Sequence, residues 1–416
     1  MGFNVITYEQ AKDILIRVGA SVPTQTIQKN IMDAQGHVVA QDIVAPMDVP
    51  SFNNAAMDGF AVRFQDVLGA SSGKPVVLQK KVVLAAGDFS SVPLKQGECF
   101  HIMTGAPVPE GANAIVPVEN VLDQEGGVAF GTEAVEGAHI RRRGEDFLKG
   151  AKIIETGKSF VLSHIMPLAA LGISHVNVFR KPRVAFIATG RELVDDLSQP
   201  LQTGQIYNCN RPYAVAFLKQ LGCDVTASYT ISDNEGSFKK LLEDILVQDV
   251  DLIVSSGAVS AGKFDFVRSV LEEMGAEILY HKVRIKPGKP NLFAQFSDGK
   301  AYFGLPGNPV ATAVGLRFFV YPFIRAMLGL TEERGIPVKI ASSCNRKPSL
   351  KLFQKALLSC SLDGNLEVSI FEGQESFMLH PFLEMNAWAV IPEGDDSINP
   401  TEKIDVFPFC VGKNVL

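Results

Sequence analysis

The spacing of hydrophobic and polar positions changes character several times along this chain. Thr7-Tyr-Glu-Gln-Ala-Lys-Asp-Ile-Leu15 has apolar residues at helical spacing, opened by Thr7 and Gln10 in the arrangement of a capping box. A second short helical pattern is expected before residue 33, and His37 to Val44 reads as a strand. From about 46 to 140 short alternating runs separated by glycine, among them Val76 to Leu84 and Asn113 to Glu119, predict a small β lobe. Val161 to Leu171 returns to helical spacing. From Lys181 onward strands alternate with helices about every twenty residues, which predicts a doubly wound α/β sheet. After Gly335 the pattern reverts to short strands, with turns near Asp363-Gly364 and Glu393-Gly394, so a small C-terminal β domain is expected.

A chain of 416 residues exceeds what one core usually serves. The pattern divides it into a discontinuous N-terminal scaffold (1–45 and 141–180), an inserted β-rich lobe (46–140), an α/β domain (181–330) and a C-terminal β domain (331–416). Hydrophobic residues make up 46% and charged ones 20%, an ordinary globular balance. The net charge of -6 argues against a general nucleic-acid binder, since the basic run Arg141-Arg-Arg143 is followed at once by Glu145 and Asp146. Six scattered cysteines without a C-x-x-C pair indicate neither a disulfide framework nor a zinc site, so reduced, buried thiols are expected. The N-terminal residues lack the basic start and apolar core of a leader, and the expectation is a cytoplasmic protein. The most apolar helix, around Val310 to Leu330, is interrupted by Arg317 and Arg325, which argues against a membrane span.

The densest chemistry lies between 250 and 310. Asp251 to Ser256 reads as a buried strand, followed by the loop Gly257-Ala-Val-Ser-Ala-Gly-Lys263 and a helix from Phe266 to Met274. A strand, a glycine loop and a helix start form an anion site, because unpaired N–H groups point outward there. The loop is close to a Walker A sequence, but Phe264 stands where a magnesium-binding Ser or Thr is needed. Asp265 could bind a metal or simply favour the helix dipole. Lys286-Pro-Gly-Lys-Pro290 presents two ammonium groups on a stiffened turn, either for an oxyanion or as a solvated basic turn. In Leu305-Pro-Gly-Asn-Pro309, Asn308 is expected to cap the helix beginning at Pro309. Thr104-Gly105 could offer a hydroxyl and free N–H groups to a ligand or form an ordinary turn, and His101 reads as a core residue. Ligands of doubly wound sheets bind at the carboxyl ends of the strands. Thr189-Gly-Arg-Glu192, Asp233-Asn-Glu235, Ser255 to Asp265 and Lys286 to Lys289 fall there. No G-x-G-x-x-G follows the first strand of this region, so a dinucleotide site is not expected.

Taken together, Met57-Asp-Gly-Phe-Ala61, Thr104-Gly-Ala-Pro107, Arg143-Gly-Glu-Asp146, Lys286-Pro-Gly-Lys-Pro290 and Leu305-Pro-Gly-Asn-Pro309 resemble, in order, the molybdopterin molybdenumtransferases of the MoeA and gephyrin E-domain family. The resemblance implies insertion of molybdenum from molybdate into adenylylated molybdopterin, with magnesium and with release of AMP. It implies catalytic roles for Asp58, Thr104, Asp146, Glu192, Asp233 and Asp265, the last three as metal ligands. Substrate contacts are implied for Ser256, Gly257, Ser260, Gly262, Lys286, Lys289, Pro306, Pro309 and Ser376. It also implies an elongated homodimer with a shared site, with a molybdopterin adenylyltransferase and apo-molybdoenzymes as possible partners.

The chain departs from the family pattern at several positions. Ala258, Ala261 and Lys263 replace a glycine, a valine and an acidic residue of the usual loop. Ser349-Leu350 replaces Gly-Arg, and His380-Pro381 replaces Ser-Ser. The missing arginine and the cation at Lys263 leave two alternatives open beside the transferase: a divergent paralogue that binds molybdopterin without efficient insertion, or that handles tungstate, and a non-catalytic scaffold of the gephyrin kind.

Overall fold

The computed structural model describes residues 5–258, 266–361, 363–394, 396–400 and 402–409. Three six-stranded sheets carry the architecture. The central one runs in the order Asp224–Ile231, Arg183–Thr189, Leu252–Ser256, Ala301–Leu305, Leu292–Gln295 and Glu277–His281. Its first four strands are parallel, and the fifth, Leu292–Gln295, runs antiparallel to both of its neighbours. Alternation along the strands feeds two cores. Val184, Phe186, Ala188 and Val254 pack with Phe217 and the helix of Pro309–Met327 on one face. Ala185, Ile187 and Ile253 pack with Phe238, Leu242 and Val267 on the other. Helices on both faces make this the expected α/β domain.

The lobe between 46 and 140 is a sheet of Ala114–Pro117, Gly59–Val62, Glu98–Ile102, Val76–Leu84, Gly127–Phe130 and Val121–Gln124. It encloses its own core around Phe60, Phe130 and Val128. Below it, Thr26–Asn30 pairs with His175–Phe179 and Ile43–Val44 pairs with Lys152–Ile154, joining chain segments from either side of the lobe. Thr26–Asn30 is a strand where a second helical pattern was expected. Its ladder partner, far along the chain, supplies the hydrogen bonds that local spacing cannot reveal.

The C-terminal sheet closes on itself. Lys351–Cys360 pairs with both Leu366–Ile370 and Ala387–Ile391, and Ile336–Ile340 and Lys403–Pro408 complete the ring. Ile285–Lys286 adds in parallel to its edge at Lys351 and Leu352. The turn carrying Lys286 is therefore anchored to the C-terminal domain as well as to the central sheet.

The first helix, Tyr8–Ser21, has the predicted Thr7–Gln10 capping box. Its packing differs from the expectation that residues 1–45 form one scaffold. Tyr8, Ala11, Leu15 and Val18 join the core that holds Phe318, Phe319 and Phe353, not the scaffold core around Ile31 and Phe160. The helix of Pro309–Met327, long and apolar enough to cross a bilayer, is 83% buried within the protein. Arg317, 2% exposed, pairs with Glu333 at 2.7 Å and lies over the rings of Phe318, Tyr321 and Phe407. Cys99 and Cys223 are buried, and burial pushes each thiol up to about 12, whereas Cys209 and Cys360 are exposed, contrary to the expectation for all thiols.

Candidate active site

The motifs assemble into two groups. In the first, Gly59 lies where a Cβ would sit 2.2 Å from the Val116 carbonyl oxygen, so only glycine lets the two strands approach. The residue before it, Asp58, turns out of the strand and accepts from the Thr104 backbone N–H at 2.6 Å and from its hydroxyl at 2.7 Å. These donors, the amide first, hold the Asp58 carboxyl below the usual carboxylate range. Thr104-Gly105 is thus a turn whose hydroxyl and N–H are committed to Asp58. His101, half-buried, stacks on Phe60 at 4.8 Å.

The same end of the lobe receives the Arg143 motif. Asn54 and Ala55 pair with Arg141 and Ile140, and Ala55 also bonds the 103–107 turn through Ala106 and Gly105. Arg143 donates to Asp48 at 2.6 Å and its backbone to Asn53 at 2.8 Å. The Asp146 backbone donates to Val49. Asp58, Thr104 and Asp146 therefore stand on segments tied together by backbone hydrogen bonds. Asp48 was not foreseen, although it lies in a loop rich in turn formers.

The second group gathers at the carboxyl ends of the parallel strands. Gly257 has φ +97, and a Cβ there would meet the Thr189 carbonyl and hydroxyl oxygens at 2.5 Å. Its N–H donates to Leu305, and Gly307 packs against its Cα. Ser256 is buried, 2% exposed, in the strand that leads there. Ala258, at φ +52, occupies a left-handed conformation that costs a side-chain-bearing residue about 1–2 kcal/mol. Ser260, Gly262, Lys263 and Asp265 lie outside the described residues.

Pro306 and Pro309 frame the turn whose carbonyls bond Thr312: its hydroxyl donates to Pro306 at 2.7 Å and to Asn308 at 3.2 Å. Asn308 takes the N-cap position, but its side chain makes no capping bond; it donates to the Ser376 hydroxyl at 3.0 Å. The expected cap is replaced by a link to the C-terminal domain, strengthened by the Val310 N–H donating to the Ser376 carbonyl. Lys286 and Lys289 are exposed, and the turn between them packs near Ala311 at the start of the same helix.

The loop bearing Ser376 is held by a group that sequence reading missed. Lys355, fully buried, donates to the carbonyls of Gly373, Met378 and Glu375 at 2.7, 2.9 and 3.4 Å. Burial pushes its pKa down. Asn210, which donates to Gly307 at 2.7 Å, and Asp195, which binds Asn208, Thr230 and Arg211, were also missed. A lysine inside an alternating strand, or an asparagine opening a helix, carries no local sign of its long-range acceptor.

Glu192 and Asp233 leave the ends of neighbouring strands, which pair through Thr189 and Ile231. The Glu192 carboxylate lies over Gly190. Among the described residues no three His, Cys, Asp or Glu side chains converge on one point. One or two carboxylates with substrate phosphates is the usual manner of holding magnesium, and Glu192 and Asp233 are two of the carboxylates that follow these strand ends. Among the described residues no hydrogen bond or ion pair joins the 46–150 segment to residues 181–409. The described residues of the two groups therefore share no such bond within one subunit. A cavity of about 430 Å³ beside Tyr8, Arg317 and Phe353 contains none of the predicted residues.

A mixed, mainly parallel sheet covered by helices, with an inserted lobe and a closed β domain, makes this a multidomain α/β protein whose candidate residues gather at the strand ends. Residues 6–172 match the "MoeA N-terminal region (domain I and II)" and 185–326 the "Probable molybdopterin binding domain". A molybdopterin molybdenumtransferase of Synechococcus elongatus is 33% identical over 97% of this chain and 99% of its own. That of Haemophilus influenzae is 34% identical over the same shares. The crystal structure of a molybdopterin biosynthesis MoeA protein from Pyrococcus horikosii superposes with a TM-score of 0.82 and 29% identity, covering 98% of this chain and 99% of that one. The chain belongs to the molybdopterin molybdenumtransferase (MoeA) family.

Proposed function

We propose that this transferase of molybdenum cofactor biosynthesis inserts molybdenum from molybdate into adenylylated molybdopterin and releases AMP. The observation that carries the reading is the strand-end group. Gly257 opens the backbone beside Thr189, the Asn308–Ser376 bond fixes the facing turn, and the exposed cations Lys286 and Lys289 flank it. Cleaving a phosphoanhydride places charge on phosphate oxygens, and preorganised donors and cations offset it. Lys286 and Lys289 receive oxyanions, Ser256, Gly257, Pro306 and Pro309 shape the pterin pocket, and Ser376 closes it. Magnesium, held by Glu192 and Asp233 together with Asp265, supplies further charge neutralisation at the phosphates.

The lobe group completes the site from a second subunit of a homodimer. What supports this is that, among the described residues, no hydrogen bond or ion pair joins the two groups within one chain, although both carry the family's motifs. Asp58, kept ionised by Thr104, and Asp146 then position water or the incoming oxyanion. The location of this chemistry is the cytoplasm, with a molybdopterin adenylyltransferase before it and apo-molybdoenzymes after it.

The test is to supply purified protein with adenylylated molybdopterin, magnesium and molybdate, and to follow AMP release and activation of an apo-molybdoenzyme, with Lys263→Asp alongside. The reading expects molybdate-dependent AMP release and activation by the natural sequence. Pterin binding without release, cured by Lys263→Asp, would establish the divergent paralogue instead. Ala258 in a left-handed position is the observation that keeps that second reading alive.

A further inference from the structure

The arginine absent at Leu350 has a neighbour of the same charge. Lys347 and Leu350 form a bridge across Pro348-Ser349, with Ser349 at φ +55, and the strand that follows pairs Lys351 and Leu352 with Ile285 and Lys286. This ladder sets the 347–350 turn, and with it Lys347, beside Lys286, across the junction of the α/β and C-terminal domains. Other cations on this edge are neutralised: Arg346 by Glu402 at 3.0 Å and Asp396 at 3.5 Å, and Lys351 by Glu9. Lys286 and Lys347, both exposed, have no carboxylate within ion-pair distance among the described residues. Two like charges side by side repel, and an anion between them or loss of a proton relieves the repulsion. The contact with Lys286 holds the Lys347 pKa down, and the more distant Glu375 opposes that shift without reversing it.

We propose that Lys347 is a binding residue for a tetrahedral oxyanion, shared with Lys286, and that it supplies the positive charge that Leu350 cannot. This rests on the reading of Lys286 as an oxyanion receiver. Two neighbouring ammonium groups match the edge of a dianion such as molybdate, each donating to a different oxygen. The ladder fixes the backbone of Lys286 and of the 347–350 turn to one another, so the two side chains leave neighbouring points before the ligand arrives.

Molybdate alone, tungstate alone and AMP alone are titrated calorimetrically into the full-length protein and its Lys347→Gln and Lys347→Arg variants. A charge-assisted hydrogen bond to an oxyanion is worth enough that Lys347→Gln should weaken binding about tenfold or more, with Lys347→Arg restoring most of it. Loss confined to molybdate and tungstate places the metal oxyanion between the lysines, and loss confined to AMP places the nucleotide phosphate there; either supports the pair. Unchanged affinity for all three in Lys347→Gln overturns it, as does equal weakening in Lys347→Gln and Lys347→Arg. In the AMP-release assay, the pair predicts a raised KM for molybdate or for the pterin substrate, matching the anion lost, with kcat less affected. If the natural sequence binds oxyanions through Lys347 but releases no AMP, the transferase reading fails and the pair stands.

Discussion

Asp58 shows how one exposed carboxylate is tuned by a turn. Thr104 gives it two hydrogen bonds from one residue, and only the charged form accepts both well. Since the folded pKa is depressed, the stabilisation is fully present at neutral pH and is lost as pH falls through the depressed value. Thr104→Val removes the hydroxyl donor and keeps the amide. The Asp58 carboxyl, followed by NMR through an acid titration, should then titrate closer to the usual range; an unchanged midpoint would remove the hydroxyl from the account. The residue scale is also where sequence reading reached least far. Asp58 and Thr104 were identified as separate candidates from their motifs, whereas their bond depends on two strands 46 positions apart. Lys355 and Asn210 escaped altogether because their acceptors are backbone carbonyls of distant segments.

At the scale of elements, the parallel strands were legible because burial on both faces leaves continuous apolar runs, as in Val184 to Ala188 of Arg183–Thr189. The loop beyond Leu252–Ser256 is where local patterns gave alternatives. Gly257 decides its path: a methyl group there meets backbone oxygen at 2.5 Å in a conformation that side chains rarely adopt. Gly257→Ala should cost about 1–3 kcal/mol in denaturant unfolding and weaken pterin binding, since the turn and Thr189 must part. Unaltered binding and stability would mean that the chain passes this point with more room than the close approach allows. Asn308 teaches the converse lesson. Its position predicts a cap, yet tertiary structure directs its side chain to Ser376 and leaves the helix start to Thr312 and the fixed φ of Pro309.

At the scale of the whole molecule, the fold class was visible in the succession of periods, and the motifs carried the family. Neither could show that the first helix belongs to the central core. Nor could they show that Ile285–Lys286 extends the C-terminal sheet, because both depend on contacts more than sixty residues apart in sequence. Those contacts lock the α/β and C-terminal domains around the second group of site residues, while the lobe carries the first group on a separate core. A homodimer that unites the two groups makes each site from both chains, and this predicts complementation. Asp58→Ala disables the lobe half and Lys286→Ala the strand-end half. Either variant alone should release little AMP. Unfolding and refolding the two together should recover about a quarter of the natural activity, because half of the dimers are mixed and each mixed dimer rebuilds one intact site of two. A mixture as inactive as its components, formed under conditions in which the natural sequence regains full activity, would contradict the shared site.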